Sequence, residues 1–250
     1  MAPSAERINK ALVLSTLALA LIIVYVTWRA LDYRAHVNVF LDKYTQVVKE
    51  FSQRAVYAEQ NLPLRSDTLV PNRVVFFGTQ VAHNWPLTES FPGWEAIDRG
   101  VSGQRLSGMV LRFRPDVIDL KPQAVVIEIS SYNFREESGI QELEDYAADM
   151  AELARFHGIE PILTTLIPHR RGYHVYESDY QVIDSIAIYD RWVRAYCDSL
   201  NIPLVDFNGL MAGDDGYLRE DLSANAVEPN EKGYAVLTSA LLQALAKTAQ

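Results

Sequence analysis

The chain reads as an α/β protein of three layers, a parallel sheet of about five strands between helices, preceded by an apolar membrane helix and a helical stalk. Three observations predict this. Short β-branched and aromatic runs bounded by Pro or Gly alternate with longer stretches of helical periodicity, the pattern of a parallel sheet with crossover helices. The first of these runs, Arg73-Val74-Val75-Phe76-Phe77, shows no polar alternation and leads straight into Gly78, as expected of a strand covered on both faces. The stretch from Ala11 to Trp28 is uncharged and long enough to span a bilayer.

That stretch ends in bulky Ile22, Ile23, Val24, Tyr25, Val26 and Trp28 rather than in a small-residue cleavage site, which favours an uncleaved anchor over a signal peptide. Basic residues flank it on both sides, Arg7 and Lys10 before, Arg29 and Arg34 after, so charge alone does not orient it. A short basic N-terminus most often stays in the cytoplasm. The expectation is therefore a single-pass protein whose body faces the periplasm or exterior. Val37, Phe40, Leu41, Tyr44, Val47, Val48, Phe51, Ala55 and Tyr57 then recur at threes and fours, a helical stripe over residues 32–61 that Pro63 ends. The expected domains are a tail over 1–10, the anchor over 11–28, a stalk helix and linker over 29–71, and the globular domain over 72–250.

Within that domain, strands are expected over residues 73–77, 96–98, 124–129, 161–167 and 203–207. Helices are expected over 107–117, 140–157, 180–200 and 231–247. A chain of 250 residues that is 49% apolar supplies one good-sized core. Its net charge of −9, with no basic cluster in the body, argues against nucleic acid. Cys197 is the sole cysteine, so no intrachain disulfide forms, and its helical surroundings point to packing.

Chemistry in such a sheet belongs just beyond the carboxyl ends of the strands. There, four segments resemble the sequence blocks of the SGNH, or GDSL-type, serine esterase superfamily, between residues 72 and 246. Gly78-Thr79-Gln80 resembles the first block, normally Gly-Asp-Ser. Asp98-Arg99-Gly100-Val101-Ser102-Gly103-Gln104 resembles the second, and residues 125–134, from Val125 to Phe134, resemble the third, normally Gly-Thr-Asn-Asp. Asn225-Ala226-Val227-Glu228-Pro229-Asn230 resembles the last, normally Asp-Gly-Val-His-Pro-Asn. The resemblance implies a flavodoxin-like SGNH-hydrolase fold and an ester hydrolase whose nucleophile, acid and base fall at Gln80, Asn225 and Glu228.

None of these three residues can play the corresponding part. An amide forms no acyl-enzyme, and Asn225 would orient an imidazole that position 228 lacks. Among the oxyanion-donor positions, the resemblance implies Gly103, with Ser130 at the third block's glycine. Its asparagine falls on Tyr132 in an ungapped register and on Asn133 after a shift of one. Thr79, next to Gln80, is a weak substitute nucleophile, because neighbouring residues point to different sides of a strand end. Ser130 and Ser131 have no evident histidine partner. His83 and His169 read as loop residues at the mouth of the site, and His169-Arg170-Arg171 as an anion-gathering or merely solvated loop.

Glu128 and Glu228 could in principle act as an acid and base on a glycosidic bond, but Glu128 counts as a strand residue, where a satisfied buried carboxylate is the simpler reading. No spacing of His, Asp and Glu matches a metal motif, and no cofactor is expected. The resulting expectation is a disarmed SGNH-like domain. Its partners are the membrane, an acyl or sugar ligand, and protein subunits met through the anchor and stalk; the alternative is an esterase with a rearranged site.

Overall fold

The computed structural model describes residues 5–133, 139–172 and 182–248, and its contacts divide the chain into Met1–Phe51 and Ser52–Gln250. The first unit is a single helix, α1 (Ala5–Phe51), containing a 30-residue stretch, Leu12–Leu41, whose most apolar 18 residues have a mean hydropathy of 2.0. That helix is long and apolar enough to cross a membrane. The stripe expected to run unbroken to Asn61 instead ends at Phe51, and Gln53 has a left-handed backbone (φ 51°) that no helix continues through.

The second unit begins with the short helix α2 (Ala58–Asn61) and then alternates: β1 (Val70–Gly78), α3 (Gln80–His83), α4 (Leu87–Ser90), β2 (Glu95–Gly100), α5 (Leu106–Asp116), β3 (Pro122–Ile127), α6 (Ile140–Phe156), β4 (Glu160–Thr164), α7 (Val182–Leu200), β5 (Leu204–Val205), α8 (Phe207–Met211) and α9 (Glu231–Thr248). The predicted strands and helices are present, with ends shifted by a few residues. The expected helix start at Tyr180 lies outside the described residues.

All five strands pair in parallel, in the order β2-β1-β3-β4-β5. Alternation along β1 explains the three layers. Val75 and Phe77 enter a core shared with Met109 and Phe113 of α5, Met150 of α6 and Val193 of α7. Val74 and Phe76 enter a second core with Val81 and Trp85, with Phe207, and with Leu237 and Leu241 of α9. Both faces of the strand are thus covered, which is why its sequence carries no polar alternation. The strand order doubles back between β1 and β3, so their carboxyl ends open a crevice at this topological switch point.

Candidate active site

Gly78 ends β1 in register with Gly100 of β2, while its neighbour Phe77 faces Ile127, the last residue of β3. Glu128 therefore stands just past the end of β3 and directly beside the turn. It is buried, and it accepts hydrogen bonds from the Thr79 N–H (2.6 Å) and the Thr79 hydroxyl (3.0 Å). Burial raises its pKa, opposed by the Thr79 bonds and by the Ala82 backbone N–H. Glu128 thus caps the start of α3 from within the protein. A Cβ on Gly78 would lie 2.8 Å from the Glu128 Cβ, so only glycine permits this closeness. Gly100 is confined in the same way: its Cβ would lie 2.7 Å from both the His83 Cα and the Thr79 carbonyl oxygen.

This arrangement settles where each candidate points. Gln80 is the first residue of α3 and is partly exposed at the crevice. The Thr79 hydroxyl is turned inward to Glu128. Asn84, one turn beyond Gln80, donates to Glu228 Oε2 at 3.5 Å, which brings the last block against α3. Asn225 Oδ1 accepts from the Val227 and Glu228 N–H groups (2.9 and 3.0 Å), so its side chain shapes its own loop. That loop is closed by the Ser223–Pro229 bridge and braced by Arg170, which donates to Ser223 Oγ at 2.7 Å and to its carbonyl at 2.9 Å. Arg171 pairs with Asp215 at 3.0 Å. Of the His169-Arg170-Arg171 segment, read as anion-gathering or solvated, His169 is buried, Arg170 is taken up by Ser223, and the exposed Arg171 pairs with Asp215.

Gly103 is exposed, with a left-handed backbone (φ 68°). Ser131 and Asn133 are buried, and the Ser131–Asn133 turn includes Tyr132. Asn133 Oδ1 accepts the Leu106 N–H at 3.0 Å, tying the third block to the second, and Asn133 N–H bonds the Ser130 carbonyl at 3.0 Å. The end of the third block, Phe134, lies outside the described residues.

Sequence reasoning did not find two features. His83 closes α3 and presents Nδ1 to Asp98 Oδ2 at 3.2 Å, while Tyr57 donates to the same oxygen at 3.1 Å and the Gly100 N–H holds Oδ1 at 2.7 Å. Below the turn, the fully buried Arg112 donates to the Gly78 carbonyl (3.2 Å), to Gln104 and to Asp116 (2.9 Å), with its guanidinium 4.1 Å from the Phe77 ring. Asp116 also accepts from Asn61 at 2.6 Å, and Asn61 accepts from Arg99 at 2.8 Å. Partners 38 and 55 residues apart leave no local signal. Among the described residues, no group of three or more His, Cys, Asp or Glu is placed to hold a metal ion.

A sheet of this order, with a glycine turn after β1 and a hairpin loop before α9 meeting over the crevice, defines the SGNH-hydrolase fold. The profile of the GDSL-like lipase/acylhydrolase family matches residues 66–236, and the chain belongs to that family. A GDSL-like lipase from Bacteroides thetaiotaomicron superimposes with a TM-score of 0.71 at 28% identity, over 79% of this chain and 99% of that one. A protein from Bacteroides fragilis, assigned to the acylhydrolases, gives a TM-score of 0.68 at 29% identity, over 78% and 96% of the two chains. No protein of curated function matches the chain in sequence.

Proposed function

We propose that this chain is a membrane-anchored SGNH-fold module that runs no serine esterase reaction and serves as a binding or structural accessory subunit of a membrane assembly. One observation carries the reading. The residue following the nucleophile turn is an amide, Gln80, and the hydroxyl of its neighbour Thr79 is bonded to a buried carboxylate. Gln80 can form no alkoxide, the Thr79 hydroxyl is turned into the protein toward Glu128, and no histidine occupies the base position. The crevice still offers the Gln80 and Asn84 amides and the Glu228 carboxylate, donors and acceptors suited to the hydroxyls of a sugar or the carbonyl of an acyl group.

The full-length protein in mild detergent is expected to show no turnover of short-chain aryl esters and no labelling by a serine-directed phosphonate. Stoichiometric labelling of Thr79, Ser130 or Ser131 would overturn the reading. Extraction from the native membrane is expected to yield a larger complex; a lone monomer in several detergents argues against the accessory role.

A second reading, an esterase with a rearranged site, is favoured by the His83–Asp98 pair. Asp98, bonded by the Gly100 N–H and lying beside the Tyr57 hydroxyl, stands within hydrogen-bond distance of His83 Nδ1, and an imidazole oriented by a carboxylate is a candidate general base. Ester turnover that disappears in His83→Ala would establish that reading and remove the first.

A further inference from the structure

The edge of the sheet opposite the candidate site carries a second cleft, of about 640 Å³, lined by Arg65, Asp67, Arg114, Asp119, Lys121 and His157. Arg65 and Asp67 precede β1, Lys121 precedes β3 and His157 precedes β4, whereas Arg114 comes from the last turn of α5. In a parallel sheet these are the amino ends of the strands, far from Gly78 and Glu128 at the carboxyl ends.

Cations from three separate segments converge here in a protein of net charge −9. Arg114 approaches Asp119 only to 3.9 Å, with side chains 61% and 35% exposed, a pair that contributes little. Among the described residues, Arg65 and Lys121 have no ion-pair partner. Lys121 sits on a left-handed backbone, φ 48° and ψ 48°, where glycine would be relaxed and a side chain is strained. His157 lines the same cleft as Arg114 and Lys121, and its imidazole is pushed below its ordinary pKa first by burial and then by those two cations, with Asp119 opposing.

We propose that this cleft binds a small phosphate-bearing polyol, with Arg65, Arg114 and Lys121 on the phosphate and Asp67 and Asp119 accepting from its hydroxyls. Guanidinium and ammonium groups not engaged in close ion pairs, Arg65 and Lys121 here with the weakly paired Arg114, are phosphate ligands by charge and geometry. The two acids reduce the site's net charge and so favour a ligand that also brings donors. The volume lies within the range of small-molecule sites. The proposal is independent of whether the crevice at the other edge is catalytic.

The test is histidine NMR on the full-length protein in detergent, titrated with glucose 6-phosphate or with dihexanoyl phosphatidylglycerol. A saturable shift of the His157 resonances, with its titration midpoint moved upward by the bound anion, is expected from one of the two probes. Saturation by the sugar phosphate identifies a soluble ligand, and saturation by the lipid identifies a headgroup. Arg114→Gln and Lys121→Gly should each weaken binding about tenfold, the scale of one charge-assisted hydrogen bond. Because glycine relaxes the backbone at 121, Lys121→Gly separates lost binding from lost folding. No saturation by either probe, or undiminished binding in Lys121→Gly, overturns the proposal.

Discussion

At the scale of single residues, the turn after β1 is defined by what Gly78 excludes. Glu128 fills the space a side chain would need, and its carboxylate accepts the Thr79 and Ala82 N–H groups at the start of α3. Gly78→Ala must push the turn off Glu128 or strain it, and overpacking of this kind costs about 1–3 kcal/mol. Thermal unfolding of the full chain in detergent reads that loss; an unchanged midpoint would mean the turn can shift freely. The same geometry predicts the outcome of restoring the family's residues. Gln80→Ser, Asn225→Asp and Glu228→His together should give aryl-ester turnover on the order of tenfold or more above the uncatalysed background, a small part of what a complete triad contributes. Gln80→Ser alone should give none, since Glu228 is no base for it. A silent triple variant would locate the deficit in the Gly103 and Asn133 donors.

Between elements, the supports of the crevice are long-range polar bonds. Arg112 of α5 ties the end of β1 to Gln104 and, through Asp116, to Asn61 of α2. Removing one partner of a buried pair leaves the other uncompensated, so Arg112→Met should cost about 3–5 kcal/mol, with part recovered in Arg112→Met/Asp116→Leu. A single variant within about 0.5 kcal/mol of the parent would show that water replaces the guanidinium. This layer was not legible in the sequence, because Asn61, Arg99, Arg112 and Asp116 fall in no local pattern. The strands were legible, since Val74 to Phe77 and Val125 to Ile127 are β-branched and aromatic runs between turn residues. So were the four blocks, which glycine and proline punctuate. Glu128 counts as a strand residue by hydrophobic run length, yet β3 ends at Ile127 rather than at residue 129, and that two-residue difference turns a strand carboxylate into the cap of α3. The stripe through Tyr57 misled for another reason. The same spacing serves a continuing helix and a segment folded onto its own domain, and Gln53, where the helix breaks, is not a residue type that announces a left-handed backbone.

For the whole molecule, buried acids set how stability varies with pH. Asp190, on α7, is buried against the end of β4, where Oδ1 accepts the Leu166 N–H at 3.0 Å. Burial pushes its pKa up to about 6, with Asp206 adding to the rise and the Leu166 N–H and Arg194 opposing it. A raised acid binds its proton more tightly in the fold than in the unfolded chain. Its contribution is therefore fully present below the ordinary aspartate value and is lost as pH rises through about 6. Asp206 acts in the opposite sense: burial is outweighed by Arg194, the Gly209 N–H and Thr165, which hold it below the ordinary value. The two effects overlap in the parent, so the informative quantity is the difference between the parent and Asp190→Asn. Asparagine keeps an acceptor for Leu166 and cannot ionise. The variant should gain on the parent between about pH 4 and pH 7, by on the order of 2–3 kcal/mol, and the difference should flatten above that window. Unfolding midpoints of both full-length proteins across that range measure it. A difference that stays constant with pH would mean that Asp190 is ionised in the fold throughout, and that the α7–β4 contact is wetter than its burial implies.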